Sequence, residues 1–330
     1  MGRYIARKGF IYLLTFFVAV TVDWGIPRFM PGDPVQGLIA RIQVQSQETA
    51  QAFESFYTKA FGLDVPWWQQ YLNFWKALFH GDLGRSVTNY PQPVSEIILQ
   101  SLPYTLALLV PAILLSFWAG NKVGALAARR KWLDNTVLPT GYVLTATPQM
   151  WLGIMLAFLF GSVWGIFPIS GAYDFSLTPA WSWEFVASFL DHWFLPFCAL
   201  FLVAFGGWAI GMRNMIIYEL EADYAHYLEA LGAPRKLVRR YAYRNALLPQ
   251  VTGLALALGA VVAGAIVVEI VFGYPGLGLE TYNAVINRDY FLLQGIFLFI
   301  IVGVLVANFV IDIAYVVIDP RTRLGMQGRG

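Results

Sequence analysis

A single cysteine, Cys198, stands in 330 residues, which excludes an internal disulfide and any cysteine-cluster metal site. There are only three histidines, and neither a His-Glu-x-x-His nor a Gly-x-Ser-x-Gly string occurs, which argues against an intramembrane enzyme. No Gly-x4-Gly-Lys-Ser/Thr phosphate cradle is present, so the chain has no ATPase site of that kind. No residue set calls for a metal or a cofactor, and no catalytic residue is nominated. Charge is also scarce: Asp, Glu, Lys and Arg make up 13% of the chain, against roughly 25% in soluble domains. That supply cannot solvate the surface of a chain this long. A net charge of +2 gives no general attraction to nucleic acid. The abundant residues are apolar, with 58% from the AVILMFWYC set, including 12 Trp and 25 Phe. The composition is that of an integral membrane protein.

Six apolar runs can each supply the ~20 residues a helix needs to cross the hydrocarbon layer. They are Phe10–Phe29, Leu102–Ala128, Thr136–Trp164, Phe189–Met212, Val251–Phe272 and Phe291–Ile318. Helices are expected because a lipid-facing backbone must satisfy its own hydrogen bonds, and no run alternates like a barrel strand. With the N-terminus inside, 15 of the 22 basic residues fall on cytoplasmic segments, and the loop from Gly165 to Ser188 has none. Both termini are therefore expected in the cytoplasm. A basic start before an apolar run also fits a cleaved signal peptide, but no small-x-small cleavage site follows and apolar character resumes through Trp24, Ile26, Phe29 and Met30. A retained span is preferred.

The external segment opens with the turn cluster Pro31-Gly32-Asp33-Pro34. Ala52, Phe53, Phe56, Tyr57, Ala60 and Phe61 then recur at helical spacing, as do Trp67, Trp68, Tyr71, Leu72, Trp75, Leu78 and Phe79. Two readings stand: helices lying at the bilayer interface, or a docking or gating surface. The segment from Asn214 to Pro249 places Glu219, Glu221, Asp223 and Glu229 before Gly232-Ala233-Pro234, and Arg235, Lys236, Arg239, Arg240 and Arg244 after it. This predicts a short acidic helix, a glycine turn, and a basic helix leading into the fifth span.

At this segment the chain resembles the membrane subunits of ABC importers, which share a cytoplasmic EAA-type motif. The matching residues are Asp223-Tyr224, Glu229-Ala230-Leu231-Gly232 and Arg244-Asn245-Ala246-Leu247-Leu248-Pro249. Pro31-Gly32-Asp33-Pro34-Val35, Gly62-Leu63-Asp64, Gly81-Asp82-Leu83-Gly84, Ser101-Leu102-Pro103, Val268-Glu269-Ile270-Val271-Phe272, Pro275-Gly276-Leu277-Gly278, Arg288-Asp289-Tyr290 and Asp319-Pro320-Arg321 resemble the peptide, nickel and oligosaccharide branch, with dipeptide and oligopeptide permease B chains as its type. Gly206–Met215 and Tyr241–Asn245 resemble sugar-type members slightly more than peptide-type ones. The chain departs from the broader motif in the bulky His226-Tyr227-Leu228 and in a stretch between Gly232 and Tyr241 that is one residue short.

The resemblance implies an all-α integral membrane protein of the type I ABC importer permease kind, with six transmembrane helices and an external helical segment after the first span. Residues 1–30 would be the first transmembrane helix, 31–100 the external segment, 101–318 a five-helix core containing the coupling loop 214–249, and 319–330 a cytoplasmic tail. It implies a prokaryotic cell (inner) membrane location, two ATP-binding cassette subunits, a second homologous permease chain (a different one favoured), and an external solute-binding protein. The substrate would be a short peptide or short oligosaccharide, moved by alternating access. The ATPase-contacting residues would be Asp223, Tyr224, Glu229, Ala230, Gly232, Arg235, Arg244 and Asn245. Ionisable residues within spans are costly and call for a partner or a water-filled path. Asp23, Glu269 and Asp312 are the candidates for a translocation path, although Glu269 and Asp312 also sit where the family commonly has acids of structural role. An ion-gradient-driven secondary transporter and a non-transporting membrane scaffold remain as alternatives from the residues themselves.

Overall fold

Pro148 decides the shape of the third apolar run. A proline removes a backbone donor and drives the preceding residue out of the helical region. In the computed structural model, which describes residues 2–29, 47–259 and 266–318, Thr147 is extended (φ −78°, ψ 122°) and the helix stops at Ala146. The run expected at Thr136–Trp164 is thus two pieces, Lys131–Ala146 and Gln149–Val163, meeting at 99°.

In chain order the helices are α1 (Gly2–Phe29), α2 (Gln47–Ala60), α3 (Trp67–Phe79), α4 (Val94–Ala127), α5 (Lys131–Ala146), α6 (Gln149–Leu156), which continues as a π-helical turn over Ala157–Val163, α7 (Trp183–Leu220), α8 (Asp223–Ala230), α9 (Arg235–Gly259), α10 (Ile266–Val271), α11 (Leu277–Asn287) and α12 (Tyr290–Ile318). Among the described residues the only β pairing is an isolated bridge between Arg85 and Pro93. Four helical stretches are long and apolar enough to cross a membrane: Ala6–Ile26 of α1, α4, α7, and Tyr290–Phe309 of α12. The bent pair adds a fifth if it counts once. The expected run Val251–Phe272 is split between the end of α9 and α10, with residues 260–265 outside the described part, as are the turn cluster at 31–34 and the tail 319–330.

The chain forms two compact units: Met1–Pro103 with Gly276–Gly330, and Tyr104–Pro275. In the first, α1 packs on α12, with Tyr12 edge-on to Phe309. The amphipathic α3 lies antiparallel along α1: Gln70 is beside Arg28, Tyr71 bonds Thr21 Oγ1 at 2.9 Å, and Trp75 stacks on Phe17. Asp289, fully buried at the start of α12, accepts from Ser86 Oγ, Thr88 N–H (2.9 Å) and Leu292 N–H (3.1 Å). Three donors on one carboxylate offset its burial and fasten the loop ahead of α4 to the last helix.

In the second unit, Leu108, Leu195, Ala199, Val268, Phe272 and Tyr274 are among the core residues. A smaller cluster of Ala125, Met212, Ile216 and Ala246 joins α4, α7 and α9. The Gly120/Gly124 spacing on α4 permits a close crossing with α7: a Cβ at Gly120 would lie 2.6 Å from Trp208 Cβ, and one at Gly124 would collide with the Ala209 carbonyl.

Candidate functional site

The helix–glycine–helix prediction for 214–249 describes what is present. α7 ends at Leu220, α8 runs over Asp223–Ala230, and α9 starts at Arg235. Gly232 adopts φ +76°, a left-handed conformation that favours glycine. Its N–H donates to Glu229 O (2.9 Å), and Ala233 N–H donates to Leu228 O (3.0 Å). This paired pattern caps the orphan carbonyls of α8 as a Schellman motif. Pro234 follows, and α9 restarts with Leu237 N–H on Pro234 O at 2.8 Å.

The structure sorts the eight residues singled out for this loop into two sets. Asp223, Glu229, Ala230, Gly232, Arg235 and Arg244 are exposed. Tyr224 and Asn245 point inward, and both bond one acceptor, Glu219 Oε2, at 2.7 and 3.1 Å. Burial, with the bond to Glu219 second, pushes the Tyr224 hydroxyl up to about 12, so it stays a donor at neutral pH. Ala225 beneath α8 and Ala242 and Ala246 on α9 are buried. The loop is therefore fixed to the end of α7 on its inner side and presents Asp223, Tyr227, Glu229, Ala230 and Leu231 outward.

Two residues that matter here were not in that set. Glu219 reads in the sequence as one more acid in a solvated block; only folding shows that Tyr224, five residues on, and Asn245, 26 residues on, converge on it. Arg213 reads as a topological charge, yet its Nε and Nη2 grip both oxygens of Asp134 at 2.7 Å, joining the start of α5 to α7. Bidentate pairing adds geometric definition that a single contact lacks.

None of the three candidate path acids belongs to the loop. Asp23 is 2% exposed, and neither carboxylate oxygen has a hydrogen-bond partner among the described residues. Glu269 on α10 is fully buried, and its Oε1 accepts from Thr105 Oγ1 on α4 at 2.7 Å. Asp312 lies on α12, and its side chain is outside the described part.

Residues 112–324, which contain the whole loop, match the binding-protein-dependent transport system inner membrane component family. The chain belongs to that family. It is 32% identical to the di/tripeptide transport system permease protein DppB of Pseudomonas aeruginosa, across 98% of this chain and 99% of that one. It is 30% identical to the dipeptide transport system permease protein DppB of Escherichia coli K12 over the same shares, and 28% identical to the oligopeptide transport system permease protein AppB of Bacillus subtilis across 97% and 99%. The resemblance read from the motifs is thereby shown, and this inner membrane component is a multi-pass membrane protein with the all-helical architecture expected of an ABC importer permease. All three relatives are named for peptides, so the slight lean toward sugar-type members finds no support in them.

Proposed function

We propose that this chain is the permease subunit through which a short peptide is imported, driven by ATP hydrolysis on two separate ATP-binding cassette subunits. A second, different homologous chain would complete the pathway, an external solute-binding protein would deliver the peptide, and both termini would face the cytoplasm. The observation that carries this reading is the loop: an eight-residue helix with an exposed outer face and a braced inner face. An exposed helix ending in a rigid glycine cap suits a cleft on a partner. Displacement of α8 passes through the Tyr224–Glu219–Asn245 bonds to α7 and α9 together. α7 has 38 residues, about 57 Å at 1.5 Å per residue, so motion at its end reaches across the membrane. That is the requirement for alternating access, in which packed elements exchange between two arrangements. The peptide undergoes no covalent change. Affinity isolation of the tagged chain from its native membrane tests the assignment: a nucleotide-binding ATPase is expected to co-purify, and to be lost on Asp223→Lys with Glu229→Lys. A retained partner without a nucleotide site would refute it.

Asp23 is the path residue we put forward. A buried carboxylate with no hydrogen-bond partner among the described residues is costly in a membrane span, so its retention points to function. Asp23→Asn is expected to lower peptide uptake while thermal stability holds or rises. Unchanged uptake would remove it from the path. Glu269, bonded to Thr105, is better suited to holding α10 against α4.

A further inference from the structure

The first unit contains a half-open cavity of about 190 Å³. Phe74 and Phe291 give it apolar walls; Arg28, Gln70, Asn73, Asp82 and Gln294 bring polar groups to it. Gln294, in its wall, is nine-tenths buried. Arg28 lies 3.7 Å over the Trp24 ring, donating to Trp24 O at 2.6 Å and Gln70 Oε1 at 3.4 Å. Among the described residues, three of its five N–H donors have no partner. Asp82 Oδ1 accepts from Gly84 N–H at 2.9 Å, and no ion pair links Asp82 to Arg28 among the described residues. The cavity thus offers a cation, an anion and a side-chain amide, a set suited to a ligand carrying both charges.

Its depth is set by the helices around it. Arg28 follows the apolar stretch Ala6–Ile26 by two residues, and Gln294 is four residues into the stretch that begins at Tyr290. Both therefore lie near one membrane surface, the outer one in the orientation proposed above. From that level α3 runs alongside α1 into the apolar layer: Trp75 stacks on Phe17, which is about 16 Å along α1 from Arg28. On α3, Trp68, Leu72 and Phe79 share the side that carries Trp75 and remain exposed. A ring-rich amphipathic helix at this depth has its apolar face suited to acyl chains.

We infer that this cavity holds the headgroup of a zwitterionic aminophospholipid of the outer leaflet. The phosphate sits on the Arg28 guanidinium and the Gln294 amide, and the ammonium on Asp82. Guanidinium suits phosphate because its planar fork matches two oxygens. A short peptide also carries a primary ammonium and an anion, so the test must separate the two sources.

The test is native mass spectrometry of the full-length chain, purified in detergent and exposed to equal amounts of phosphatidylethanolamine, phosphatidylcholine and phosphatidylglycerol. Phosphatidylethanolamine is expected to be retained at least about tenfold over the others, as losing one hydrogen bond to a charged group implies. Arg28→Met is expected to lower retention about tenfold. Asp82→Asn keeps the Oδ1 acceptor for Gly84 but removes the anion, so phosphatidylethanolamine should fall to the level of phosphatidylcholine. That variant alters an exposed residue and remains decisive if Arg28→Met does not fold. Equal retention of the three lipids, or unchanged selectivity in Asp82→Asn, overturns the inference. So does displacement of bound lipid by dialanine, which would assign the cavity to peptide; no displacement supports the lipid.

Discussion

Replacing Gly232 by proline is expected to reduce ATP-driven uptake at least about tenfold while the partner ATPase keeps hydrolysing and the chain stays inserted. A tenfold loss corresponds to about 1.4 kcal/mol of coupling free energy, within the range for linked sites. The physical cause is specific. Gly232 sits at φ +76° and its N–H closes the cap on Glu229 O; proline is fixed near φ −65° and has no N–H. The end of α8 would reopen, and α8 would lose its set direction relative to α9. Nothing lies within 4 Å of a Cβ built at this position, so the effect would arise from backbone conformation and not from crowding. Gly232→Ala is a graded control: it keeps the N–H and bears only the left-handed penalty, about 1–2 kcal/mol. Uptake and ATP hydrolysis measured together on the same reconstituted complexes decide the matter. If both remain normal in Gly232→Pro, the cap does not transmit motion.

The second large effect is expected where α4 crosses α7. Gly124→Ala adds one methyl group, yet that Cβ would collide with the carbonyl of Ala209, a backbone atom that cannot swing aside as a flexible side chain would. Overpacking of this kind costs about 1–3 kcal/mol, and the two helices would have to separate. On α7, Gly207 offers the same substitution in open conditions: it is exposed, and a Cβ built there would meet Thr145 Cγ2 at an ordinary 3.7 Å. There alanine is expected to stabilise by up to about 1 kcal/mol, because helix-interior glycine is entropically costly. Thermal unfolding of the two variants, followed by circular dichroism in detergent, should shift the midpoint in opposite directions. A neutral Gly124→Ala would mean that the helices do not cross this closely.

These expectations show what the sequence made legible. The glycine turn was visible because few residues other than glycine tolerate left-handed backbone, and Pro234 behind it marks a new helix. The membrane class was visible because the shortage of charge leaves no alternative. The break at Pro148 could have been read from the proline itself, but hydropathy averages over 20 residues and passes through a bend without a change of value. Glu219 could not be found that way: its two partners lie at separations of five and 26 residues, and only the turn at Gly232 brings α9 back to it. The cavity around Gln294 was hidden for a related reason, since it draws on α1, α3 and α12, whose mutual packing no periodicity reports. α3 looked like part of a hydrophilic external segment, and its aromatic face allowed either interface or docking. The structure gives part of that face to α1.

The most direct measurement is peptide uptake into proteoliposomes holding either this chain alone or the full set of two permease chains, two ATPases and the binding protein. Uptake is predicted only in the full set, only with ATP, and not in the full set bearing Gly232→Pro. Peptide accumulation by the lone chain under a proton or sodium gradient would contradict the account.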